Sequence, residues 1–133
     1  MSPQPTWQST GFNLCTSLYN AGTAKPPVFQ YAHGAPVFTG DPCPNAGGAP
    51  TGIEFYNGGS YPASYKGALF LADYARACIY VVPKGPNGQP NFAAGQLFMN
   101  IAPAALTDLE CGPGGDLFYV DNTGGTVVRI RFA

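Results

Sequence analysis

The sequence predicts an all-β fold made of short antiparallel strands joined by tight turns. Apolar residues alternate with polar ones or form short solid runs, and Gly or Pro interrupts every longer window. The chain of 133 residues contains 18 Gly and 14 Pro, which suit the backbone angles of hairpin turns. One hairpin also occurs twice, at residues 67–82 (GALFLADYARACIYVV) and 115–130 (GDLFYVDNTGGTVVRI). No helix competes with this reading.

The two hairpins share a residue pattern and the strand that precedes it. Matching positions are Gly67 with Gly115, Leu69 with Leu117, Phe70 with Phe118, Asp73 with Asp121 and Ile79 with Val127. A further predicted strand comes before each copy, TGIEF at 51–55 and TDLEC at 107–111. GQLFMNI at 95–101 supplies a fourth strand to the first copy only. The repeated unit therefore has at least three strands.

Four antiparallel strands repeating every roughly 40 to 50 residues are typical of a β-propeller blade. We therefore predict about two four-stranded blades in a single domain, residues 1–133. An N-terminal segment with a partial strand occupies residues 1–50, the first blade 51–101 and the second, incomplete blade 102–133. PVFQYAH at 27–33 is the candidate for the missing outer strand of the second blade.

Two blades are too few to close a ring, because each blade must cover the faces of its neighbours. Either the chain is part of a longer propeller, or several copies assemble into one. A homo-oligomer is expected, and a trimer is favoured because three chains would give six blades. A compact β-sandwich made from the same strands is the alternative architecture.

Composition restricts the classes of partner. Six Lys plus Arg stand against seven Asp plus Glu, so no nucleic-acid-binding surface is indicated. No apolar run is long enough for a membrane span, and the first residues, MSPQPTWQST, lack the pattern of a signal peptide. We expect neither a nucleic-acid partner nor a membrane partner.

The four cysteines are Cys15, Cys43, Cys78 and Cys111, and none forms a C-x-x-C pair. An even number in a chain rich in Gly and Pro favours one or two disulfides and an oxidising compartment. Cys43 with Cys78, or Cys15 with Cys43, are the first pairs to test. Free buried thiols are the alternative.

The repeated segments resemble a known family. TGIEFYNGGSYPASYKGALFLADYARACIYVV and TDLECGPGGDLFYVDNTGGTVVRIRF resemble the C-terminal part of the glucose/sorbosone dehydrogenase family, six-bladed propellers related to soluble quinoprotein glucose dehydrogenase. FNLCTSLYNAG at 12–22 and PPVFQYAHG at 26–34 look like the segment ahead of that family's late blades. The resemblance implies a secreted or periplasmic protein that uses pyrroloquinoline quinone (PQQ) and calcium. It places this chain in the late blades, so neither the family's catalytic His nor its main quinone contacts correspond to a residue here.

In a propeller, the loops at the start of the first strand and the end of the second strand of each blade surround the central channel. We therefore predict a ligand site at these loops. The candidate residues at this position are Thr51, Asp73, Tyr74, Arg76, Thr107, Asp108, Asp121 and Asn122. His33, the only His, is a further candidate, although a structural or rim-forming role is expected for a lone His. A strand-ending Asp commonly hydrogen-bonds the turn backbone, which is the competing explanation for Asp73 and Asp121.

Two further sets of residues are weaker candidates. Asp108 and Glu110 alternate with Leu109, so they share a face and offer hard oxygen ligands for calcium. Tyr56, Tyr61, Tyr65 and Trp7 offer rings for stacking on a sugar, with packing in the core as the alternative.

Three functions follow from these observations. The first is a truncated propeller of the carbohydrate oxidoreductase lineage, acting on sugars with a quinone cofactor, as the resemblance implies. The second is a calcium-dependent lactone hydrolase, in which a divalent ion polarises the lactone and activates water; it depends on analogy of fold. The third is a non-catalytic module that binds glycan or acts as a scaffold. The expected small-molecule partner is thus a sugar or a lactone.

Overall fold

The computed structural model describes Thr6 and residues 9–11, 13–44 and 47–132. The chain divides into two compact units, Met1–Gln30 and Tyr31–Ala133. Among the described residues no helix is long and apolar enough to cross a membrane.

In the described part of the N-terminal unit, an α-helix, α1, spans Leu14–Ala21. The expectation that the chain forms no helix is therefore wrong for this segment. Leu14 and Leu18 are spaced by one helical turn, and Gly22 ends the helix in the left-handed conformation, with its N–H donating to the Tyr19 carbonyl. A helix this short gives little periodicity in the sequence.

The second unit consists of two antiparallel sheets, which confirms the all-β prediction for this part of the chain. The strands of the first sheet lie in sequence order: β1 (Pro50–Phe55), β2 (Leu69–Asp73), β3 (Cys78–Val82) and β4 (Gln96–Asn100). The second sheet holds β5 (Leu106–Cys111), β6 (Leu117–Asp121) and β7 (Thr126–Ile130). The predicted repeat of hairpins is confirmed, and so is the lack of a fourth strand beside β7 among the described residues.

The proposed source of that fourth strand is not borne out. Residues 27–33 form no strand, and the side chain of Val28 is 88% exposed. Pro26 and Pro27 have no backbone N–H to donate to a strand ladder. The hydroxyl of Tyr31 instead donates a hydrogen bond to Asp73 at the end of β2.

The two sheets share their irregularities as well as their strand order. The register of β1 against β2 skips Thr51, and that of β5 against β6 skips Thr107, so each first strand carries a bulge at the same place. Ala77 and Gly125 occupy matching positions in the β2–β3 and β6–β7 turns, and both have positive φ, 51° and 62°. The likeness of the two copies therefore extends from residue pattern to backbone conformation.

The sheets pack face to face around one apolar core. The first sheet contributes the face that carries Gly52, Phe70, Ala72, Ile79 and Val81, and the second the face that carries Leu109, Leu117, Tyr119, Val128 and Ile130. Full burial of a side chain such as Phe70, which is 0% exposed, contributes about 1.5 to 3 kcal/mol. The strands β1 and β5 approach each other closely, since a Cβ on Gly52 would lie 2.7 Å from that of Leu109.

The packed faces are not equivalent in the repeat. The registers match Ile53 of β1 with Leu109 of β5, and Gly52 with Asp108. Leu109 nevertheless packs against Gly52, while Ile53 lies on the opposite face of the first sheet and is 64% exposed. The two repeats therefore pack head to tail, with one face of the first against the opposite face of the second.

Candidate functional site

We call the edge of the first sheet at which β1 begins and β2 ends the rim. It also contains the segment 31–33 and residues 47–49. Five sequence-predicted candidates lie in this region: His33, Thr51, Asp73, Tyr74 and Arg76.

Asp73 ends β2 and is 1% exposed. Its Oδ1 accepts hydrogen bonds from the backbone N–H groups of Ala49 and Arg76, both at 3.1 Å. Its Oδ2 accepts the hydroxyl of Tyr31 at 2.6 Å. The expectation that this Asp bonds the turn backbone is confirmed, and its carboxylate acts by fixing the rim.

Arg76 is 2% exposed although it lies in a turn between two strands. Its Nη2 donates to the carbonyl of Gly47 at 2.7 Å and to that of Ala32 at 3.3 Å. The Nε atom lies 3.4 Å from Oδ2 of Asp73, and the guanidinium stands 5.1 Å from the ring centre of Tyr31. The buried charge is thus compensated by carbonyls, a carboxylate and an aromatic face.

Tyr31 is the rim residue that sequence reasoning missed. Burial, reinforced by the hydrogen bond to Asp73, raises the pKa of its phenol well above the ordinary value. The hydroxyl therefore stays protonated and serves as a permanent donor to Asp73. The sequence signal available was its place in PVFQYAHG, two residues before the nominated His33.

The segment that follows Tyr31 is held to the first sheet by a disulfide at Cys43. Cys43 forms a disulfide with Cys78 at the start of β3, which confirms one of the two pairings expected from sequence. Cys15 and Cys111 are free thiols. Asp41 accepts the backbone N–H of Cys43 at 2.9 Å and that of Val37 at 3.1 Å. The disulfide is typical of proteins that fold in oxidising compartments.

Two rim side chains face solvent. Tyr74 is 42% exposed, and its backbone N–H donates to the carbonyl of Ala49 at 2.9 Å. His33 is exposed and lies beside Gly48, where an added Cβ would be 3.4 Å from the imidazole Cδ2 and 3.1 Å from the ring of Tyr31. Gly48 therefore leaves room for both rings, and the rim offers an aromatic ring and an imidazole on a rigid base.

The second sheet repeats the same turn arrangement. Oδ1 of Asp121 accepts the N–H of Ala105 at 2.9 Å and that of Thr123 at 3.0 Å. These backbone hydrogen bonds, the one from Ala105 foremost, lower the pKa of the carboxyl below its ordinary value. Asn122 matches Tyr74, is exposed, and donates its N–H to the Ala105 carbonyl at 2.8 Å.

The two nominated threonines differ in their contacts. Thr51 donates its hydroxyl to the carbonyl of Leu106 at 2.8 Å, which links the start of β1 to the start of β5. Thr107 is exposed at the corresponding bulge. Thr51 therefore connects the two sheets at the rim.

The calcium ligands expected from sequence do not assemble a site. Asp108 and Glu110 share the outward face of β5 and are exposed, and Oδ1 of Asp108 accepts the N–H of Leu109 at 2.9 Å. Among the residues that the structure describes, no three His, Cys, Asp or Glu side chains come close enough to hold a metal ion together. The donor set therefore does not fit calcium, which takes six to eight oxygen ligands.

The rim residues do not fit the quinone cofactor either. PQQ carries carboxylate groups, which need cationic partners. The buried rim cation, Arg76, already serves Gly47, Ala32 and Asp73. We therefore derive no catalytic step through a quinone or a calcium ion.

The tyrosines proposed for sugar stacking are mainly core residues. Tyr56 is 0% and Tyr61 5% exposed, and their rings stack at 4.9 Å. Tyr65 packs edge-on to Tyr61 at 6.0 Å. The alternative explanation, packing in the core, is confirmed for these residues, while Trp7 lies outside the described residues.

A second polar cluster was not foreseen. Asp116, 2% exposed, accepts hydrogen bonds from Ser60 and from Nε of Arg129. The bond from Ser60, together with the charge of Arg129, lowers the pKa of the Asp116 carboxyl below its ordinary value, against the opposing effect of burial. This cluster joins the β1–β2 connection to the second sheet, and its role is structural.

Comparison of the chain with protein-family models, with curated proteins and with solved structures gave no significant match.

Proposed function

We propose that this chain forms two consecutive blades of a β-propeller and binds neutral carbohydrate at the rim without converting it. The observation that carries the binding proposal is the exposed ring of Tyr74 on a turn fixed by the buried pair Asp73 and Arg76. A sugar presents apolar C–H faces to an aromatic ring and hydroxyls to polar neighbours. His33, exposed on the same rim, is positioned to hydrogen-bond such hydroxyls.

The blade assignment is supported by the head-to-tail packing of the sheets. Consecutive blades of a propeller present opposite faces to each other, as Gly52 and Leu109 do here. A sandwich in which a two-fold axis relates the duplicated sheets would instead bring equivalent faces together, with Ile53 opposite Leu109. The four strands of the first sheet and the three of the second also equal the numbers that the sequence predicts for a complete and an incomplete blade.

The turn that carries Tyr74 is held in place by Asp73 and Arg76, which favours ligand binding at the rim. Asp73 and Arg76 are both buried and hold the turn through hydrogen bonds, so the turn loses little conformational freedom when a ligand binds. Gly48 lets the rings of Tyr31 and His33 approach the backbone closely. We propose that the site works in an oxidising compartment, outside the cell or in the periplasm, because the Cys43–Cys78 disulfide holds its supporting segment.

Saturation-transfer NMR with D-glucose and cellotetraose tests carbohydrate binding directly. We expect saturable binding by the wild type, weakened about tenfold or more in Tyr74→Ala. The matched control is Tyr19→Ala, because Tyr19 is 50% exposed but lies on α1, and this variant should bind like the wild type. Equal binding by wild type and Tyr74→Ala, or none by either, would overturn the proposal.

Sugar oxidation and lactone hydrolysis remain predictions from sequence. Dye reduction with an aldose after addition of PQQ and calcium tests the first, and lactone cleavage with and without chelator tests the second. Turnover in either assay would contradict the proposal that the rim binds without converting its ligand.

A further inference from the structure

Two Asn-Gly pairs occur in connections between strands, Asn57–Gly58 between β1 and β2 and Asn87–Gly88 between β3 and β4. In such a pair the backbone nitrogen of Gly can attack the side-chain amide carbon of Asn, because Gly has no side chain to obstruct the approach and its backbone turns freely. The reaction needs an Asn side chain and a Gly nitrogen that are free to meet. The contacts of the two pairs therefore decide which one reacts.

The Asn87–Gly88 pair is held at both reacting groups. The N–H of Gly88 donates to the carbonyl of Gly85 at 3.0 Å, and Oδ1 of Asn87 accepts the N–H of Gln89 at 3.1 Å. Both hydrogen bonds must open before the Gly nitrogen reaches the amide carbon. This pair is therefore protected in the folded protein.

The Asn57–Gly58 pair has no such restraint. Asn57 is exposed, and within the described residues no hydrogen bond involves its side chain or the N–H of Gly58. The backbone N–H of Asn57 donates to Sγ of Cys111, which anchors the chain just before the reacting groups. The side chain of Asn57 is thus free to turn toward the Gly58 nitrogen.

We propose that Asn57 is a modification site, at which the folded protein converts an asparagine to isoaspartate without an enzyme. The Gly58 nitrogen forms a bond to the amide carbon, its proton leaves with the amide nitrogen as ammonia, and a cyclic succinimide results. Water then breaks the bond between this nitrogen and the Asn57 backbone carbonyl carbon, giving its hydroxyl to the carbon and a proton to the nitrogen. The backbone now runs through the side-chain carbons, and a carboxylate stands in place of the backbone carbonyl. No oxidant or reductant takes part, and the inference is independent of carbohydrate binding.

The modified backbone does not fit its surroundings. An additional carbon atom enters the chain just before Gly59, which lies so close to Gly115 that a Cβ on it would collide with the Gly115 backbone. The segment must therefore move away from the second sheet. Cys111 is partly buried and bonded to the N–H of Asn57, so this movement uncovers its thiol. Conversion of Asn57 should consequently make Cys111 reactive.

Timed incubation of the intact protein at mildly alkaline pH, followed by digestion and mass spectrometry, tests the assignment. Conversion of Asn57 should be about tenfold faster than that of Asn87, because two hydrogen bonds protect the latter. In urea the two rates should become equal, since Gly follows each Asn. Isoaspartate is identified by methyl transfer from S-adenosylmethionine with a protein isoaspartyl methyltransferase. Equal rates in the folded protein, or a difference that persists in urea, would overturn the proposal.

Iodoacetamide labelling of the incubated samples tests the effect on Cys111. Labelling of the wild type should rise in step with the isoaspartate content at Asn57. Asn57→Gln, whose longer side chain closes the ring far more slowly, should keep Cys111 unlabelled, and Asn87→Gln is the matched control that should behave as the wild type. Circular dichroism establishes that both variants are folded. Wild-type labelling of Cys111 in Asn57→Gln would overturn the link between the two residues.

Discussion

The hydroxyl of Tyr31 donates a 2.6 Å hydrogen bond to Oδ2 of Asp73, a residue 42 positions later in the chain. The same carboxylate holds the backbone of Ala49 and Arg76. One buried Asp therefore ties together the segment before the first sheet, the start of β1 and the turn after β2. Tyr74, whose side chain is 42% exposed, lies in the turn that this arrangement holds in place.

Loss of the Tyr31 hydroxyl should weaken the fold modestly, and loss of the Asp73 carboxylate severely. Tyr31→Phe removes one hydrogen bond and should lower the free energy of unfolding by about 1 kcal/mol. Asp73→Ala leaves the buried charge of Arg76 without its carboxylate and should cost about 3 to 5 kcal/mol. Urea denaturation measures both values, with the exposed Tyr74→Phe as a control expected to change little. Equal effects of Tyr31→Phe and Asp73→Ala would contradict this account.

The disulfide should contribute a large share of the stability. Cys43 and Cys78 lie 35 residues apart, and replacing both by Ala should lower the free energy of unfolding by about 2 to 4 kcal/mol. Cys15→Ala is the control, because this exposed thiol is free. A double variant as stable as the control would show that the disulfide does not constrain the segment from Tyr31 to Cys43.

The two free thiols should differ in reactivity. Burial, aided by a hydrogen bond to Glu54, raises the pKa of Cys111 to about 12, so at pH 8 this thiol is protonated and is a poor nucleophile. Cys15 is exposed. We expect iodoacetamide to label Cys15 in the folded protein and Cys111 only after unfolding, as read by mass spectrometry. Rapid labelling of Cys111 in the folded protein would contradict its placement.

Acid should destabilise the protein in part through Asp116. Because hydrogen bonds from Ser60 and Arg129 lower its pKa in the folded state, its contribution is fully present above the ordinary Asp value of about 3.9. The contribution is lost as the pH falls through that value and the lower one of the folded state. Asp116→Asn should therefore be less stable than the wild type at pH 7, and its stability should fall less steeply below pH 4. Parallel pH profiles of melting temperature would contradict the assignment.

The close approach of β1 and β5 should make Gly52 sensitive to substitution. Gly52→Ala places a methyl group 2.7 Å from the Cβ of Leu109, so the strands must separate, at about 1 to 3 kcal/mol. Ile53→Ala changes the neighbouring residue on the exposed face and should cost less than about 1 kcal/mol in the monomer. Thermal melting at low protein concentration compares the two variants. A larger cost for Ile53→Ala would mean that the faces are assigned the wrong way round.

Local patterns in the sequence were sufficient to predict the strands. The repeated hairpin, the fourth strand after it and the turn-bonding role of Asp73 and Asp121 all depend on residues near one another in the chain. Alternation of apolar residues and Gly-rich turns signal such features directly. The eight-residue helix α1 was missed because its pattern is too short to stand out.

Features that depend on contacts between residues far apart in the chain could not be predicted from local sequence patterns. Arg76 is in a polar turn by sequence, yet carbonyls of residues 32 and 47 and the ring of Tyr31 bury it. The choice of packed face was equally hidden, because both faces of the first sheet carry apolar residues: Phe70 lies in the core on one face, whereas Ile53 is 64% exposed on the other. Side-chain alternation alone does not show which of two apolar faces the second sheet covers.

Nuclear Overhauser contacts of the Leu109 methyl groups, recorded at low protein concentration, decide whether the two sheets pack head to tail. Head-to-tail packing predicts contacts with the Hα protons of Gly52 and none with the side chain of Ile53, which lies on the opposite face. Contacts between Leu109 and Ile53, residues equivalent in the repeat, would show that equivalent faces meet and would contradict the blade arrangement.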